Sequence, residues 1–332
     1  MLDDRRARVL QALVEEYIRT GQPVSSRIVL EESGLEVSSA TVRNDLAKLE
    51  SYGFVAQPHT SAGRVPTDQG YRYFVDHCAP GTLRSATRAR IEAFFAEVNV
   101  GLAKLLRETT TLLSDLSHYP AVVIGPGIAG EVIRGLHLVP LTRRVLLVVT
   151  VTGAGRVTQE VVRLPFDPTD DELREAEDTL ASLFVGNPLG VSDLDVDAVS
   201  PHASEHVRSL LGRVGAALRG AQETASDLFV GGTSQLATLW GDLAHVDQML
   251  GLLEREAAVR SILEAESDGT AVRIGAEVDV DDVEIAVVST AYEAGQRGHG
   301  RVGVIGPMRM DYRRTIKLVE EVGEGLGDSL GR

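Results

Sequence analysis

A single cysteine, Cys78, in 332 residues excludes an intrachain disulfide and suits a reducing compartment. Its plainest role is that of a small, buried or half-buried side chain. No stretch approaches the ~18 uninterrupted apolar residues of a membrane helix, so a soluble chain is expected although 43% of its residues are hydrophobic. The opening run MLDDRRARVLQALVEEY sets acids before arginines and holds no apolar region ending in a cleavage site. No secretory signal is visible, and a cytoplasmic location is expected. Lysine is nearly absent, three against thirty arginines, the bias of a GC-rich genome. P-loop, HExxH and GxSxG are all missing, and Cys78 lacks any sign of activation, so no enzyme is expected.

At 332 residues the chain should form two or three domains, since one domain takes roughly 100–200. A net charge of -15 argues at first against nucleic acid, which is bound through Lys and Arg. The distribution answers this. Residues 1–76 hold nine basic and eleven acidic residues, whereas the remaining 256 hold 24 and 37, so the acidity lies outside the N-terminal part. Between residues 37 and 72 four basic residues face three acidic ones, which leaves room only for a focused contact.

The apolar spacing of Val9, Leu10, Leu13, Val14, Tyr17 and Ile18 predicts a helix from Leu2 to Thr20 stopped by Gly21. Ser25 or Ser26 caps a second, short helix through Glu32, and Ser38 or Ser39 caps a third running to about Tyr52. In the third, Val42, Leu46 and Leu49 face inward. Ala40, Asn44, Ala47 and Lys48 then face outward, with Thr41 and Arg43 on the flanks. Two short helices joined by a tight turn, the second opening Ser-Ser-Ala-Thr-Val-Arg-Asn, describe a helix-turn-helix that offers its N-terminal residues to the major groove. Phe54–Gln57, a polar loop over 58–67 and a returning strand with Arg64 and Val65 would make the wing. Arg43 and Asn44 are the expected base readers, because Arg matches guanine and Asn adenine bidentately. Ser25, Ser39, Thr41, Lys48 and Arg64 are expected on the DNA backbone. Ser26, Arg27, Ser38, His59 and Thr60 complete the DNA-contacting set.

The runs VEEYIRTGQPVSSR, VSSATVRNDLAKLESYGF and QPHTSAGRVPTDQGYRYFVD closely resemble the N-terminal signature of the HrcA repressors. GVIGPMRMDY near the C-terminus and Val230-Gly231-Gly232-Thr233-Ser234 resemble further motifs of that family, while 155–225 departs most. The resemblance implies a GAF-like domain interrupted by an inserted dimerisation domain. It implies a homodimeric repressor of heat-shock operons of the groEL and dnaK type that binds double-stranded DNA at the CIRCE inverted repeat. In the family, the GroEL chaperonin supports activity, which heat stress removes.

Ile91, Phe95, Val98, Leu102, Leu105, Thr109, Leu112 and Leu116 repeat at alternating four and three, predicting one long helix over 84–117. It would be either a dimer seam or a helix packed on its own domain. Strands are expected at 121–125, 132–139 and 144–150, paired antiparallel because their connections are tight. Gly125–Gly130 matches GxGxxG, but a strand follows where a dinucleotide site needs a helix. Helices are expected at 167–185, 206–229, 236–264 and 310–326, and strands at 272–275, 284–290 and 303–306. His202 and His206 read as solvated histidines rather than metal ligands, and neither metal nor cofactor is expected. The turn at Gly306-Pro307, before Arg309, Arg313 and Arg314, reads as a plain strand-to-helix turn, with anion binding the alternative.

The expected class is therefore α+β and multidomain. A winged helix-turn-helix occupies 1–76 and a linker helix 84–117; a GAF-like antiparallel sheet domain takes 118–155 with 226–332, interrupted by an inserted dimerisation domain at 156–225. A DNA-binding repressor is the first reading. A ligand-responsive regulator of another winged-helix family comes second, and a nucleotide-using enzyme third.

Overall fold

The structure, a computed structural model, describes residues 2–331 apart from 60–62, 98–99, 127–131, 154, 188–202, 225–227, 241, 264–268, 279, 281–283 and 296–297, and of 219–224 only the backbone. Thr60, Val98, most of the GxGxxG-like run and His202 lie outside the described residues. By its contacts the chain divides into two units, one of Met1–Val123, Leu228–Tyr292 and Arg301–Ser329, the other of Ile124–Asp227 with Glu293–Gly300 and Leu330–Arg332.

In the first unit, Asp3 caps helix α1 (Asp4–Thr20), its carboxylate accepting from the Arg6 amide at 2.9 Å, and Gly21 ends the helix at φ 66°. Ser25 caps α2 (Ser26–Ser33) and Ser38 caps α3 (Ser39–Ser51). The three helices close on Leu10, Leu13, Val14, Val29, Val42 and Leu49, all fully buried, each contributing about 1.5–3 kcal/mol of transfer free energy. Strands β1 (Val55–Ala56) and β2 (Val65–Pro66) pair antiparallel, Val55 opposite Pro66 and Ala56 opposite Val65. Val24, between α1 and α2, joins this hairpin: its amide donates to the Arg64 carbonyl at 2.9 Å and its carbonyl accepts from the Arg64 amide at 2.8 Å. The backbones come so close there that a Cβ on Gly63 would run into the Val24 carbonyl, so this position needs glycine.

Helix α4 (Asp68–His77), capped by Thr67, follows without having been anticipated from periodicity. It buries Tyr71 and Phe74 and ends at half-buried Cys78, whose thiol is pushed up by burial. The Cys78 thiol reaches the Val75 carbonyl at 3.5 Å.

The single helix expected over 84–117 is two helices, α5 (Ser85–Glu97) and α6 (Leu102–Ser117), and α6 starts from Gly101 in an extended conformation at ψ 154°. Arg90 and Asp115 decide their relation, since their side chains meet at 3.2 Å. In one continuous helix 25 intervening steps would separate them by about 37 Å. The chain therefore folds back, and Ile91, Leu105, Thr109, Leu112 and Leu116 are buried within the chain itself, which removes the long linker helix and its dimer seam. Strand β3 (Ala121–Ile124) follows α6.

The second unit corrects the expected domain boundary. Strands β4 (Ile133–Thr142), β5 (Val145–Thr152) and β6 (Val157–Arg163) form their own antiparallel sheet in the order β4-β5-β6. They do not extend the sheet that contains β3. Helices α7 (Asp170–Phe184) and α8 (Glu205–Thr224) belong to this unit. Ile133, Leu136, Leu138, Leu146 and Val148 share one core with Leu173, Leu180, Val207, Leu210 and Val214, so the unit starts at Ile124 rather than 156. Of the antiparallel pairings expected among 121–125, 132–139 and 144–150, only that of the last two forms; β3, expected beside them, lies between β7 and β10. His206, expected as a solvated side chain, is half exposed but held, its Nδ1 3.0 Å from Glu172 and its ring stacked on Phe166 at 4.1 Å.

Back in the first unit, the end of the helix expected at 206–229 is a strand, β7 (Leu228–Gly231). Short helices α9 (Leu236–Leu239), α10 (Leu243–Leu253) and α11 (Glu256–Leu263) follow. Next come β8 (Ala271–Ile274), β9 (Ile285–Glu293), β10 (His299–Pro307) and the closing helix α12 (Tyr312–Gly331). The sheet order is β7-β3-β10-β9-β8, so the strands before and after the second unit are neighbours. Gly232, at φ 74°, lies so close to α6 that a Cβ would overlap Ser114, which gives the mid-chain glycine motif a packing reason.

The N-terminal helices dock on the rest of this unit. Arg72 donates to the Val272 carbonyl at 2.7 Å and to Glu277 at 3.0 Å, and Asp68 accepts from the Ala276 amide at 3.1 Å. Arg313 meets Glu15 at 3.2 Å, and the buried rings of Tyr71 and Tyr312 lie 6.0 Å apart.

Candidate nucleic-acid interface

Along α3, Val42, Asp45, Leu46 and Leu49 are buried, while Ser39, Ala40, Arg43, Asn44, Ala47 and Lys48 are exposed and Thr41 is half-buried. The apolar spacing turns this outer face away from the core. Ala40 and Ala47 keep it low between the longer polar side chains, so another surface can approach closely.

An acid inside the buried stripe is what spacing alone did not single out. Asp45 is 3% exposed and is held by two arginines of α1: Arg5 Nε at 2.7 Å and Arg6 Nε at 3.3 Å. The hydrogen bond from Arg5 outweighs desolvation and keeps the Asp45 carboxyl below the usual aspartate range. This pairing fixes the rotation of α3 about its own axis, and with it the direction of Arg43 and Asn44. A carboxylate three residues after Val42 and four before Leu49 was the available signal; its partners are 39 and 40 residues away and could not be read locally.

Ser25 and Ser38 are occupied as caps. Ser25 Oγ accepts from the Ile28 amide at 3.4 Å, and Ser38 Oγ accepts from the Thr41 amide at 3.1 Å while sharing a 2.9 Å hydrogen bond with the Thr41 hydroxyl. Neither α2 nor α3 carries an acid in its first turn, in contrast to Asp4 in α1 and Asp68 in α4. The positive ends of α2 and α3 therefore remain available to an external anion. Ser26 is half-buried, and Arg27 is 86% exposed beside Glu31 at 3.0 Å. His59 is exposed in the loop after β1.

Arg64 is placed differently from a free wing arginine. Its Nε and Nη2 bond Glu50 Oε2 at 3.1 and 2.9 Å, so the arginine ties the hairpin to the end of α3, and a phosphate would have to compete with Glu50 for it. Among the described residues no group of three or more His, Cys, Asp or Glu could hold a metal ion. No described helix is long and apolar enough to cross a membrane.

Comparison with known proteins places this geometry in a family. Residues 103–316 match the family model described as the HrcA protein C-terminal domain. The heat-inducible transcription repressor HrcA of Mycolicibacterium smegmatis is 37% identical over 337 aligned residues, covering 99% of this chain and 98% of that protein. The repressor of the same name from Rhodococcus jostii is 38% identical over 340 aligned residues, with the same coverage of 99% and 98%. A crystal structure described only as that of a hypothetical protein superposes over 100% of this chain and 99% of its own, at 26% identity and a TM-score of 0.64.

Proposed function

The chain belongs to the HrcA family of heat-inducible transcription repressors, and from this premise we propose that its N-terminal helices and hairpin are a winged helix-turn-helix that reads the CIRCE inverted repeat before chaperone operons. The observation that carries the reading is the outer face of α3, where Arg43, Asn44 and Lys48 are exposed while Asp45 is clamped beneath by Arg5 and Arg6. Arg43 and Asn44 read bases, and Lys48, Thr41 and the first-turn amides of α2 and α3 meet phosphates. In this reading Ser25, Ser26, Arg27, Ser38, Ser39, His59 and Arg64 add contacts to the DNA, and Thr60, outside the described residues, is proposed with them. The five-stranded sheet with α12 is the GAF-like domain of this reading, and the protein acts in the cytoplasm.

Reading an inverted repeat calls for two heads related by two-fold symmetry. The second unit offers a surface for that pairing, because one face of its sheet is buried by its own helices while the other is open and carries several exposed apolar side chains beside His137 and Gln159. On the open face Leu147 of β5 stands between Val139 of β4 and Val161 of β6, and Val139, Leu141, Val157 and Val161 are 42–59% exposed. Contiguous exposed apolar surface marks a protein interface, and pairing through it makes the homodimer. The GroEL chaperonin keeps the dimer active. A few kcal/mol separate the active dimer from inactive species, so heat and loss of chaperonin shift the balance.

A mobility-shift titration on a CIRCE duplex and a scrambled duplex, at ~0.15 M salt with and without GroEL, tests this. Binding confined to the repeat and improved by chaperonin is the expected result. Equal, weak binding to both duplexes in the presence of chaperonin would move the operator and the signal elsewhere.

A further inference from the structure

The cavity at the start of α12 carries a charge that the DNA-reading face does not explain. It measures about 670 Å³ and is lined by Arg84, Thr87, His118, Asp311, Arg313 and Arg314 among others, a volume within the range of small-ligand sites. Three arginines face one carboxylate there, in a chain whose net charge is -15. That carboxylate is already engaged, Asp311 accepting from the Arg314 amide at 3.1 Å. Arg84 and Arg314 pair with no carboxylate among the described residues. Arg314 Nη2 is braced on the Leu116 carbonyl at 2.8 Å, which orders the guanidinium without neutralising it. His118 ends α6 at φ 64°, the only non-glycine among the described residues with a positive φ. The left-handed region disfavours an L residue, so a C-cap usually given to glycine here bears an imidazole in the cavity wall.

We propose that this cavity is an effector site for a small molecule bearing phosphate. Two guanidiniums without carboxylate partners match the two charges of a phosphate monoester, and planar guanidinium is the side chain suited to bidentate phosphate binding. The site is wired to the DNA-reading helices through Arg313. This residue lines the cavity and also holds Glu15 of α1 at 3.2 Å and the Ala79 carbonyl at 3.2 Å. An anion that draws Arg313 inward releases Glu15, so ligand binding and the posture of α1 are linked, and the linkage is reciprocal.

Calorimetric titration of the full chain with inorganic phosphate and with inorganic tripolyphosphate, at constant ionic strength and without DNA, tests the site apart from the operator reading. Saturable binding of one equivalent per chain is expected, weakened at least tenfold by Arg84→Glu, an exposed residue whose side chain makes no hydrogen bond or ion pair among the described residues. Arg174→Glu, on the second unit, should leave it unchanged. Absence of saturable binding, or equal affinity in Arg84→Glu and the parent, overturns the proposal. If phosphate binds, tripolyphosphate should change the affinity for an operator duplex in the parent and not in Arg84→Glu; an equal change in both would mean that the anion acts by screening and would overturn the link to α1.

Discussion

The Arg5 guanidinium donates to both carboxylate oxygens of Asp45, from Nε at 2.7 Å and from Nη2 at 3.1 Å, across 40 residues of sequence. Asp45→Ala should destabilise the N-terminal helices by about 1–3 kcal/mol, the usual cost of losing hydrogen bonds to a charged, buried group. The pH dependence follows from the lowered Asp45 carboxyl. A carboxyl depressed by folding contributes stability above its unfolded value, and that contribution is lost as pH falls through the depressed folded value. Denaturation curves between neutral pH and pH ~3 should therefore lose an acid-dependent component in Asp45→Asn. Parallel curves for variant and parent would refute the clamp.

Arg43 and Lys48 share the open face of α3 but should fail in different ways. Arg43→Ala is expected to cost about 1–3 kcal/mol on the operator and to relax sequence preference, whereas Lys48→Ala should weaken all duplexes alike and lower the salt slope by about one. Titrations on matched and scrambled duplexes at several salt concentrations distinguish the two. If Arg43→Ala bound the operator as the parent does, α3 would have to present another face.

Glu50 competes with phosphate for Arg64, holding it at 2.9 Å. Glu50→Gln should therefore strengthen binding to any duplex by up to about fivefold, the equivalent of a ~1 kcal/mol surface ion pair. Equal affinity of variant and parent would mean that Arg64 serves the hairpin and not the DNA.

Val161, 59% exposed on the open face of the second sheet, tests the dimer. Val161→Asp should leave circular dichroism and the melting curve nearly intact, because exposed substitutions usually stay within about 0.5 kcal/mol. Sedimentation should show a monomer with weakened operator binding. A variant that remains dimeric would place the interface elsewhere.

Much of the outer face of α3 is legible in residue order. Serine caps, a 3.6-residue apolar stripe and glycine stops are local signals, and they place Asn44 and Lys48 outward on α3, with Arg43 on the flank, before any contact is known. The same locality misleads in the linker. The four-three spacing from Ile91 to Leu116 runs across Gly101 without interruption, and an apolar stripe looks alike whether its partner is a second chain or the returning helix. The boundary at 156 failed for a related reason, since alternation in 132–150 shows that strands have an inner face but not which helices will cover it.

Residue order alone thus carries the family and the local structure of α1 to α3 and of several strands, because caps, turns and periodic stripes act over a few residues. Folding decided the rest: the hairpin of α5 and α6, the separate core of the second unit, the clamp on Asp45, the pairing of Arg64 with Glu50 and the meeting of Arg84, His118 and Arg314 around one cavity. Each of these joins residues distant in the chain, and their encounter is set by which buried surfaces pack together, a choice made over the whole molecule and not within any segment of it.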